Sequence, residues 1–172
     1  MTSFIDTHCH LDKLESNPEE TVEEAKQEGV KTMVTISVDE ESFDFVSKAV
    51  KQFKDVYGTV GIHPHDASEF SPKLEKRIRK MAREQDKLIA IGETGLDYHY
   101  MNSSSEDQQF AFRKQLRIAV EVNLPVVLHS REAEADTIKI LKEIPVPALG
   151  VAHSFTSSLM MAKTLLDMGW YL

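Results

Sequence analysis

The sequence has one cysteine, Cys9, in 172 residues. An internal disulfide and a thiolate-rich zinc site are therefore excluded, and any metal held by this chain must use imidazole and carboxylate. No apolar run approaches the roughly 18 residues of a membrane-spanning helix. The opening MTSFIDTHCH has neither the basic nor the apolar part of a signal peptide and reads as a strand, which makes a soluble, cytoplasmic protein with no membrane partner the expectation. Basic charge is scarce too: 20 Lys and Arg stand against 28 Asp and Glu, for a net charge of −8. That balance argues against a broad nucleic-acid-binding surface, which draws its affinity from clustered cations. The longest basic stretch, KLEKRIRKMAR at residues 73–83, carries Leu74, Ile78 and Met81 at helical spacing and reads as a solvated helix face.

What is present is alternation. Short β-rich runs at residues 4–8, 32–37, 57–62, 88–92, 126–129 and 149–153 are separated by amphipathic helical patterns, the signature of βα units building a parallel sheet. Asn17 and Pro18 open the first helix and Gly29 ends it. Asp39 caps a second with Phe43, Val46, Val50 and Phe53 inward, and Ser71 with Pro72 opens a third. Further helices are expected at 106–122, 131–143 and 157–168. The pattern makes six βα units plus the start of a seventh strand at Trp170, Tyr171 and Leu172. It points to α/β architecture of the TIM type, a single (β/α)8 barrel domain over residues 1–172 that is incomplete. A barrel of this kind runs to about 250 residues, so roughly 80 more are expected of a closed one. The competing architecture is an open doubly wound sheet, which usually announces itself by G-x-G-x-x-G after its first strand; here that strand runs into HCHLDKL.

The histidines His8, His10, His63, His65, His99, His129 and His153 all fall at, or within a few residues after, the C-terminal end of an expected strand. Barrel enzymes keep their chemistry on that face. His8 and His10 are two apart, so strand alternation puts both on the inner side and Cys9 on the helix side as a small buried hydrophobe. Asp6 shares the parity of His8 and is expected to orient an imidazole. Glu93, after the apolar run LIAIG, projects into the same mouth. Four imidazoles and a carboxylate exceed one tetrahedral ion, so two cations bridged by Glu93 are the economical arrangement.

The segments FIDTHCHL, GIHPHDA, AIGETGLDYHY, NLPVVLHSREA and AHSFTSS, in that order, resemble the TatD-family metal-dependent deoxyribonucleases among the metallo-hydrolase barrels. The resemblance implies His8 and His10 as ligands of one metal, Glu93 as the bridge and the catalytic carboxylate, and His129 and His153 as ligands of the second metal. It implies two divalent ions, magnesium, zinc or manganese, and DNA, as short or single-stranded ends, as the substrate cut by a metal-activated water. His63, His65, Asp97 and Arg131 would line the substrate pocket, Arg131 being suited to phosphate by its forked donors; for each, a hydrogen bond that merely orders a loop is the competing reading.

Two features depart from the family pattern. Ser157 stands where the family commonly has glycine. The aspartate that follows the eighth strand in the family, a metal ligand and general base, is not in this sequence. The expected consequences are a second polypeptide completing the barrel, edge-to-edge association into a homo-oligomer, or a catalytically impaired partial barrel. An ester or amide hydrolase on the same barrel is the alternative activity, because the same activated water attacks carbonyl carbon.

Overall fold

The computed structural model describes residues 3–172 and contains one parallel sheet in the order β1-β2-β3-β4-β5-β6. Its strands are β1 (Phe4–Cys9), β2 (Val30–Thr35), β3 (Val56–Val60), β4 (Leu88–Asp97), β5 (Val126–Arg131) and β6 (Gly150–Ala152). The helices between and after them are α1 (Pro18–Gln27), α2 (Glu40–Gln52), α3 (Pro72–Glu84), α4 (Ser105–Val122), α5 (Glu134–Glu143) and α6 (Leu159–Asp167). No helix among the described residues is long and apolar enough to cross a membrane.

Local chemistry sets the helix starts. Asn17 accepts the Glu19 N–H at 2.9 Å with Pro18 at the first helical position. Asp39 accepts the Ser42 N–H at 2.7 Å while Ser42 Oγ accepts the Asp39 N–H at 3.1 Å, a reciprocal capping box. Ser71, Ser104 and Ser158 cap α3, α4 and α6 by accepting the backbone N–H three residues on, without the reciprocal bond. Buried Phe43, Val46, Ile78, Phe112, Leu116, Leu128, Ile140 and Leu165 join the helices to the outer face of the sheet in one cluster. Val34, Ala90, Val127 and Val151 line a separate apolar cleft of about 380 Å³ together with Tyr171.

Several boundaries differ from the pattern in the sequence. The longest strand is β4, which continues past Gly92 to Asp97 because a register shift between Ile91 and Thr94 lets it go on pairing with β5 as far as Asp97↔Arg131. Arg131 consequently lies in β5, and α5 begins only at Glu134. Close approach of these strands requires glycine: at Gly95, φ is +149° and an added Cβ would fall 1.9 Å from the His129 carbonyl oxygen. A 3-10 segment at Pro64–Glu69, unmarked by periodicity, precedes α3. At the start of the expected seventh strand a parallel bridge joins Val151 to Tyr171, beside buried Trp170.

The sheet is curled into a partial barrel. Six strands lying flat would hold the outer two about 24 Å apart at the usual strand spacing. Instead the rings of His8, in β1, and His153, just after β6, stack with centroids 3.3 Å apart.

Candidate metal centre

The mouth of the partial barrel is built from strand ends. At the end of β1, His8 and His10 approach to 3.3 Å between their Nε2 atoms. A register shift between Asp6 and Cys9 interrupts the alternation in this strand, so Asp6 is not the imidazole partner that parity implied. It is exposed, and its carboxylate accepts the backbone N–H of His8 at 3.0 Å. Cys9 packs in the core with Leu11 and Met33, and burial pushes its thiol up to about 12.

Glu93 is 4% exposed and divides its oxygens between two sets of imidazoles. Oε2 lies 3.2 Å from His8 Nε2, whereas Oε1 lies 3.0 Å from His129 Nδ1 and 3.9 Å from His63 Nε2. Two groups with converging ligand atoms result, His8–His10–Glu93 and His63–Glu93–His129, each within 4.8 Å. His153 joins from the other side by stacking on His8, nearly parallel at 8°. His8, His10, Glu93 and His129 thus bring ligand atoms together while His153 is in neither group, and His63, which the sequence pattern left among the substrate contacts, takes a place beside His129 and Glu93. The signal was available, since His63 falls three residues after the end of β3 and so, like His153 after β6, lies at the C-terminal end of a strand.

Electrostatics favour the metal-ready form of Glu93, His63 and His153, and the protonated form of His129. Burial opposes the charge of Glu93, yet hydrogen bonds from His129 and His8 prevail and hold the carboxyl well below its usual range. Burial, with His129 nearby, takes His63 down to about 3, and burial with His8 nearby lowers His153. His129 is also buried, but the carboxylates of Glu93 and Asp97 outweigh burial and raise its pKa. His10 Nδ1 is buried with no hydrogen-bond partner, an orphan in a site rich in nitrogen and carboxylate donors. These residues fit divalent cations.

The remaining expected residues fall into two roles. Asp97 is 1% exposed and does not reach the cleft; its Oδ2 faces His129 Nε2 at 2.9 Å and His65 Nε2 at 3.3 Å. Its Oδ1 accepts the backbone N–H groups of His99 and Tyr100 at 3.0 and 2.9 Å. His65 and Arg131 do line the cleft, about 670 Å³ in volume, with His10, Glu93, His129 and His153. His99 turns outward to Glu132 at 2.8 Å. After His153 the left-handed residue is Ser154, at φ +46°, and Ser157 takes no such conformation, so its backbone does not call for glycine.

Comparison with known proteins gives a consistent result. The family model described as TatD related DNase matches residues 5–172. An uncharacterized metal-dependent hydrolase of Buchnera aphidicola is 36% identical, covering 98% of this chain and 68% of its own. The 3'-5' ssDNA/RNA exonuclease TatD of Pantoea ananatis is 34% identical over 90% of this chain and 60% of its own. Among solved structures, a TatD homolog from Escherichia coli superposes with a TM-score of 0.90 at 31% identity, covering 97% of this chain and 66% of that one. The chain spans about two thirds of the length of the relatives it matches.

Proposed function

Because this chain belongs to the TatD-related DNase family, we propose that it hydrolyses phosphodiester bonds of nucleic acid, DNA ends above all, with divalent cations seated around Glu93. The observation that carries this reading is the division of the Glu93 oxygens between two imidazole groups. His8, His10 and Glu93 would hold one ion, and Glu93 with His129 the other, with His63 and His153 flanking them. The imidazole donors suit zinc, and the carboxylate also admits manganese or magnesium. Divalent ions there would offset charge on phosphate oxygens and lower the pKa of a water.

The protein's own residues prepare that chemistry. Glu93 stays ionised, and Asp97 fixes the ring of His129 from behind. Arg131 and His65, on the cleft wall, offer donors to the substrate. With a net charge of −8, DNA is held by this cleft rather than by a wide basic surface. The name of the Pantoea relative, a single-stranded DNA and RNA exonuclease, supports the same substrate class.

The test is to strip the protein of metal and then restore zinc, manganese or magnesium. Labelled single-stranded DNA, a chromogenic phosphodiester and a carboxyl ester are assayed side by side. Metal-dependent cleavage of the two phosphodiesters is expected, and preferential turnover of the carboxyl ester would overturn the reading.

A further inference from the structure

One cation at the mouth has no acidic partner. Arg77, Arg79, Arg83 and Arg113 are each held by carboxylates. Arg131 has no ion-pair partner among the described residues, and the neighbouring Glu132 is engaged by His99. The guanidinium lies instead over the ring of Tyr100, with its central carbon 4.8 Å from the ring centroid. A cation over an aromatic face is attracted by the ring quadrupole but keeps its N–H donors free, because the ring accepts none of them in the plane of the fork.

Tyr100 is itself held in place. Its backbone N–H is tied to Asp97, and His65 and His99 stand edge-on to its ring with centroids 5.5 and 4.7 Å away. The ring is nonetheless 55% exposed, beside Met101 at 46%, so this rim faces solvent. Strand geometry places Arg131 two residues beyond His129 on β5, about 6.6 Å further out along the strand. That position lies past the residues around Glu93 while still on the cleft wall.

We infer that Tyr100 is a positioning residue that presents Arg131 to a second phosphate of a nucleic-acid strand, next to the one attacked at Glu93. The inference rests on the phosphodiesterase reading and narrows it: strands with more than one phosphate gain affinity from this rim, and a diester with a single phosphate does not. Tyr100 acts through Arg131 and touches no reacting atom.

The experiment measures binding of a short labelled single strand of DNA to the full chain by fluorescence anisotropy, without added metal, across a range of salt concentrations. Tyr100→Ala should weaken binding by about 3- to 30-fold, the range expected from losing a cation–π contact, and Tyr100→Phe should restore it. Both Arg131→Ala and Tyr100→Ala should flatten the salt dependence by about 0.7 in the log–log slope, the value for one phosphate contact on a single strand. Combined, the two alanines should cost no more than Arg131→Ala alone. If the parent protein binds the strand and Tyr100→Ala binds as well with the same slope, the inference fails while the phosphodiesterase reading stands. If the parent protein binds no strand and cuts no diester, that reading fails and this one with it.

Discussion

Asp97 and His129 share a contact of 2.9 Å between Oδ2 and Nε2, which turns the other ring nitrogen of His129 toward Glu93 at 3.0 Å. The aspartate therefore governs the metal centre from a position sealed beneath it. Asp97→Asn should lower metal affinity by about 10- to 100-fold, as changes to groups behind a ligand commonly do. Competition with a chelating dye measures this. A rise in KM with metal content unchanged would mean that Asp97 meets the substrate instead.

Glu93→Ala should remove both of the proposed cations, because its two oxygens face both imidazole groups. His63→Ala should weaken one ion and leave the His8–His10 side loaded. Elemental analysis of each purified variant gives the count directly. Equal loss in the two variants would refute the shared role of Glu93.

Gln115 in α4 is fully buried, and its side chain accepts the Ile62 N–H at 2.8 Å while donating to the Ile62 carbonyl at 3.0 Å and Thr94 Oγ1 at 2.7 Å. It ties the end of β3, where His63 follows, to the strand that bears Glu93. Gln115→Leu strands the Ile62 amide and carbonyl, at a cost of about 1–3 kcal/mol for each buried polar group left without a partner. The urea midpoint should fall accordingly, and an unchanged midpoint would show that the backbone finds other partners.

Asp39 gives a pH signature outside the metal centre. Burial opposes its charge, but the Ser42 hydrogen bonds and Lys13 prevail and hold its pKa below the ordinary value. A carboxyl depressed in the folded state contributes stability that is complete above its unfolded pKa, about 3.9, and is lost as pH falls through the folded value. Asp39→Ala should cost about 0.5–2 kcal/mol near neutrality, the usual worth of a helix cap. The gap between variant and parent should close on acidification, as thermal melts at a series of pH values would show.

The sequence disclosed the order of elements, the caps at Asn17, Asp39 and Ser71, and the gathering of His8, His10, Glu93 and His129 at one mouth, because strand ends and capping residues are local signals. It concealed the length of β4 and the place of Arg131, which depend on a register shift between β4 and β5 that no periodicity records. The same applies to Asp6, whose parity failed at the irregularity in β1. Asp97 looked like a cleft residue from its position after GL, and only packing shows that it is covered by the histidines it orients. Residue type announces chemistry; depth below the surface has to be seen.

Among the described residues β1 pairs with β2 alone, and its Phe4 and Ile5 are 54% and 64% exposed. A partner that paired along that strand would stabilise the folded form by mass action. Since His8 lies in that strand and His10 just beyond it, whatever covers the strand would stand beside two of the residues proposed as metal ligands.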